Sequence, residues 1–81
     1  MGSHMISGRQ VRAARAVLGW SMRDLALQSF VSVAAIRLFE SCEDRTDEER
    51  RQLEAVQAAL EAAGIYFEGD STATKRFRDD L

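Results

Sequence analysis

The chain is poor in the residues on which most site chemistry depends. It holds one cysteine, Cys42, and one histidine, His4, among 81 residues. A single cysteine excludes an internal disulfide. His4 lies inside "MGSHM", which reads as the scar of a cleaved affinity tag, with Met5 the natural start. Without a native imidazole no Ser/His/Asp or Cys/His set can be assembled. The chain also lacks a phosphate-binding glycine loop, and its acidic cluster lacks the spacing of a Ca²⁺ loop. The expectation is therefore a protein that is not an enzyme, with no catalytic residues, metal or cofactor. No apolar run approaches a signal-peptide core or a membrane span, which points to a cytoplasmic protein with no membrane partner. Internal repeats and low-complexity tracts are missing as well.

An excess of positive charge is also missing. The formal net charge is −2 and the pI about 5.3. Autonomous DNA-binding domains are more often basic, because neutralising phosphates supplies most non-specific affinity. The charges are unevenly spread. Arg9, Arg12, Arg15 and Arg23 make the first part basic, whereas "ESCEDRTDEE", Glu40 to Glu49, gathers six carboxylates around Arg45.

What is present reads as helices with well-marked starts. A chain of 81 residues suits one domain near the lower limit for a single hydrophobic core. Ser7 and Gln10 form a capping box with Ile6 placed to staple on Val11, which starts a helix at about Gly8 and ends it at Leu18 before Gly19. Val11, Ala14, Val17 and Leu18 are its inward positions, and Arg9, Arg12 and Arg15 its solvent side. Ser21 and Asp24 repeat the pattern for a short second helix to about Ser29, with Trp20, most simply a core residue, packing on Leu25. Ser32 caps a third, Val33 to Ser41, with Val31 and Ile36 as staple. Thr46 and Glu49 open a long fourth helix, with Asp47 and Glu48 favourable at its positive end. Its inward stripe is Leu53, Val56, Leu60 and Ala63, and Gly64 is the left-handed stop. Ile65 to Phe67 is a short β-prone segment that packs back on the core. The expected organisation is a tag scar at 1–5, one domain at 6–67 and a flexible tail at 68–81.

The third helix poses the functional question. Val31, Ala35, Ile36 and Phe39 make one apolar face, yet the opposite stripe of Val33, Ala34, Arg37 and Leu38 is nearly as apolar. Such a patch rimmed by charge commonly marks a protein interface. Two other readings stand beside it: burial under the tail through Phe77, and unusual DNA contacts.

A short helix, a three-residue turn and a capped helix, preceded by one helix and followed by a longer one, is a helix-turn-helix arrangement in an all-α bundle. Over about Ile6 to Phe67 the chain resembles the Cro/C1 or XRE-like family of repressors. The phrases "RAARAVLGWS", "DLA", "VS" followed by "AIRLFE", and "ALEAAGIYF" carry the likeness. The resemblance implies a four- to five-helix DNA-binding fold, often dimeric, with the third helix in the major groove. It places Met22, Val33, Ala34, Arg37 and Leu38 at the DNA-facing positions. Direct readout needs forked donors and acceptors, and of these only Arg37 can supply them. The family usually has Gln where Met22 stands and Gly where Phe30 and Cys42 stand. The loop that often meets phosphates is acidic here, which phosphate would repel.

The expected function is a small transcriptional regulator acting mainly by protein–protein binding, and a resemblance to small helix-turn-helix antiactivators implies one that sequesters a transcriptional activator in quorum sensing or mobile-element transfer. Its partner-binding residues would be Met22, Val33, Ala34, Arg37 and Leu38, with Arg12, Arg15 and Arg23 meeting phosphate or an acidic partner. The alternative is a Cro/C1-type repressor binding an operator as a dimer through the same residues. A third class is homodimerisation through the third helix, so the free chain is a monomer or a homodimer. Cys42, at a helix C-terminus that disfavours a thiolate, is expected to be inert.

Overall fold

Each helix begins where a side chain replaces a missing backbone partner. In a computed structural model of the protein, which describes residues 6–42, 45–68 and 72–75, the elements run α1 (Gly8–Leu18), α2 (Met22–Ser29), α3 (Val33–Ser41), α4 (Asp47–Ala62), β1 (Ile65–Glu68) and β2 (Thr72–Lys75). Ser7, Ser21 and Thr46 each accept from the backbone N–H three residues on, while Gln10, Asp24 and Glu49 accept from the cap's own N–H. Ser32 accepts from the Ala35 N–H at 3.1 Å, with no reciprocal partner because that position is alanine. The stops are also local: Gly19 takes φ 70° and Gly64 φ 99°.

The molecule is an all-α bundle of four helices with a small hairpin behind it. Val11, Ala14, Leu25, Ile36, Phe39, Leu53, Val56, Leu60 and Ile65 form the core, with the staple residues Ile6 and Val31 closing its edge. Leu18, Trp20 and Met22 pack against it while staying partly exposed. Val17, expected inside, is 44% exposed, because the inward arc of α1 is already filled by Val11 and Ala14.

β1 pairs antiparallel with β2 from Ile65↔Lys75 to Glu68↔Thr72, and β2 lies beside α1. Thr72–Lys75, which the sequence places within a flexible tail at 68–81, forms a strand, since β1 offers it a row of backbone donors and acceptors that no periodicity in the sequence announces. Residues 1–5, expected to be a tag scar, Glu43 and Asp44 of the acidic stretch, and Phe77 with its basic neighbours lie outside the described residues. Among the described residues no helix is long and apolar enough to cross a membrane.

Gly8 accounts for how closely α1 approaches α3. A Cβ there would overlap the Phe39 carbonyl oxygen, and the Glu40 Cα would stand 3.0 Å away. Only glycine allows this contact, which brings α1 close enough for its side chains to bind the end of α3.

Candidate functional site

On α3, Ile36 and Phe39 turn into the core, so the positions between them turn outward. Ala34, Arg37 and Leu38 are exposed, Leu38 by 51%, and their helical spacing puts them on one face. This is the free part of the surface expected from the sequence. Val33 is half-buried, and Met22 is half-buried with its side chain packed on the core. Those two residues therefore border the patch and do not make its centre. Met22 sits at the first helical position after Ser21, where the turn of the chain directs it inward.

The arginines divide. Arg12 and Arg23 are exposed. Arg15, expected on the solvent side, is not available: its side chain is 16% exposed and its Nε and Nη2 donate to the two oxygens of Glu40 at 2.7 and 2.9 Å. Its Nη1 also donates to the Trp20 carbonyl at 3.0 Å, beyond the end of α1. This fork uses three of the guanidinium's five donors and ties α1 to α3. The Glu40 hydrogen bond and charge raise the Arg15 pKa above its ordinary value, against the opposing effect of burial. Arg15 is thus a structural residue, and the Glu40 side chain, 6% exposed, is not part of an exposed acidic run.

Arg45 is likewise spoken for. It donates from Nη2 to the Phe39 carbonyl at 3.1 Å and lies 5.5 Å from the centre of the Phe39 ring. It satisfies a carbonyl in the last turn of α3 and stacks on the aromatic residue anchored there. Cys42, the C-cap of α3, is exposed.

The turn from α2 to α3 carries a feature to which sequence reasoning gave no role. Phe30 caps α2 with φ 61° and ψ 30° and is 95% exposed. Leu27, one turn earlier, is 68% exposed. Beside them runs an open groove of about 550 Å³, lined by Ser29, Phe30, Val31 and the α4 residues Glu48, Arg51, Gln52 and Ala55. The signal was present in the sequence as a phenylalanine at the end of a short helix, where the tight turn calls for glycine.

What the α3 face can do follows from its side chains. Leu38 and Ala34 offer apolar contact, and Arg37 is the one forked donor among them. Arg12 and Arg23 supply exposed positive charge elsewhere on α1 and α2. No family model, curated protein or solved structure matches the chain.

Proposed function

We propose that this protein is a small transcriptional regulator of the Cro/C1, XRE-like helix-turn-helix type that acts mainly by binding another protein. In this reading it is an antiactivator that sequesters a transcriptional activator in a quorum-sensing or mobile-element transfer circuit. The observation that carries the proposal is the outer face of α3, where half-exposed Leu38 stands with Ala34 and a single polar reader, Arg37. An apolar anchor of this kind gains free energy when a partner covers it, and it has few hydrogen bonds to give to base edges. Glu40, one turn on from Arg37 along the edge of this face, is held by Arg15, which ties that edge of α3 to α1.

A second reading, a dimeric operator-binding repressor, draws support from the exposure of Arg12, Arg23 and Arg37, which could clamp phosphates. An ¹⁵N NMR titration with duplex fragments of the source genome, at low and then physiological salt, separates the two. The antiactivator reading expects no saturable shifts at Ala34, Arg37 and Leu38. Sequence-dependent shifts there, with a steep salt dependence, would establish the repressor instead. In parallel, Leu38→Glu should relieve repression of an activator-driven reporter and weaken activator binding by about tenfold or more, mainly through faster dissociation. A folded Leu38→Glu variant that represses as well as the parent would remove α3 from the interface.

A further inference from the structure

The charges of α1 and α3 do not cancel at the surface. Together the two helices carry Arg9, Arg12, Arg15 and Arg37 against one carboxylate, Glu40. That carboxylate is already taken: its side chain is 6% exposed and Arg15 holds both of its oxygens. Arg12 reaches the same group only at 4.0 Å, with its own side chain 65% exposed. Arg37 precedes Glu40 by three residues, which makes the two neighbours on the helix surface, and among the described residues it has no ion-pair partner. Arg12 and Arg37 therefore border Glu40 from two helices with their charge uncompensated. The turn of the helix sets Arg37 between Glu40 and the exposed apolar pair Ala34 and Leu38.

This positive strip is short. Arg45 fastens the loop after α3 to the Phe39 carbonyl, which keeps the first turn of α4 close to the end of α3, and that turn presents Asp47 and Glu48, both exposed. A duplex that took α3 into a groove would bring phosphates past this end of the helix, against carboxylates. A short segment of protein can set its acidic groups on the strip alone. It can also cover Leu38, which a phosphate backbone cannot.

We infer that the partner of α3 engages it with an acidic, amphipathic segment, a bulky apolar side chain seated on Leu38 and Ala34 and carboxylates paired with Arg37 and Arg12 across the α1–α3 junction. The inference rests on the reading of this face as a protein interface and adds the chemistry of what binds there.

Selection of short peptides from a random display library against the full chain tests this, with the selected peptides as probes. They should combine a bulky apolar residue with Asp or Glu, and in an ¹⁵N NMR titration should shift Arg12, Arg37 and Leu38. Replacing their carboxylates by amides should weaken binding about three- to tenfold at low salt and much less at high salt. Arg12→Gln and Arg37→Gln should each slow association, whereas Arg51→Gln on α4 should not. Both variants leave the Arg15 and Glu40 pair in place, so they should keep the parent's helical circular dichroism. The double variant Arg12→Glu, Arg37→Glu should select Lys and Arg in place of Asp and Glu, a reversal that a merely structural role for these arginines would not produce. Peptides without carboxylates that still shift Leu38 would overturn the acidic segment while keeping α3 as a protein face. Peptides that map away from α3, or none enriched at all, would overturn both readings. Duplex DNA that binds Arg12 and Arg37 more tightly than any selected peptide would overturn the inference in favour of phosphate.

Discussion

Phe39 and Phe30 stand on either side of α3, one 1% exposed in its last turn and the other 95% exposed in the turn before it. Around Phe39 everything is engaged. Gly8 lets α1 approach, Arg15 holds Glu40, and Arg45 lies over the ring and binds its carbonyl. Around Phe30 the backbone is in a conformation its side chain disfavours, and a groove beside it is open. The same residue type is buried in the core at one end of the helix and, at the other, sits on the cap of α2 with its side chain exposed. Apolar surface that does not serve folding is the kind that points to a partner.

The largest effect that could break this comparison is at Phe39. Phe39→Ala should cost about 3–5 kcal/mol, enough to unfold much of a domain this small, because it empties a fully buried site in the core cluster. Urea unfolding followed by circular dichroism measures it. A loss under about 1 kcal/mol would mean that the two phenylalanines are not so different.

Next in size is Glu40→Gln. It leaves the Arg15 guanidinium half-buried with a neutral partner, and should cost about 2 kcal/mol in the same measurement. Because the pKa of Arg15 is raised in the folded protein, its contribution is present throughout neutral and mildly basic pH and is lost on the basic side only as pH rises through the folded value. The difference between parent and variant should therefore not shrink between neutral and mildly basic pH.

The smallest effect has the opposite sign. Phe30→Gly should stabilise the domain by about 0.5–1 kcal/mol, since glycine accepts the left-handed conformation without a Cβ penalty and no buried contact is lost. If the variant is instead destabilised by as much as a core truncation, Phe30 has an intramolecular role and the contrast between the two ends of α3 fails. Thermal unfolding reads this directly.

Much of the bundle is legible in the sequence because its signals are short-range. A capping hydroxyl and the acceptor three residues on, an apolar residue before the cap, and a glycine after the last turn act within about six residues of chain. Thus Ser7, Ser21, Ser32 and Thr46 mark the four helix starts where the structure has them. The candidate site is legible only in part. Ala34, Arg37 and Leu38 follow from periodicity, while the burial of Met22 depends on how α2 crosses its neighbours.

By itself, then, the sequence determined the helices, their boundaries and the inward stripe of most of them, since all of these depend on backbone partners and side-chain spacing along one stretch of chain. Tertiary structure alone decided which charges remain available. Arg15 and Glu40 lie 25 residues apart and look like two solvated charges until Gly8 brings α1 against α3 and joins them. It likewise decided that Thr72–Lys75 becomes a strand, because its hydrogen bonds need β1 as a template. It also left Phe30 at the side of an open groove, since the groove's lining comes from the end of α2, the turn after it and α4, which only the folded chain places together.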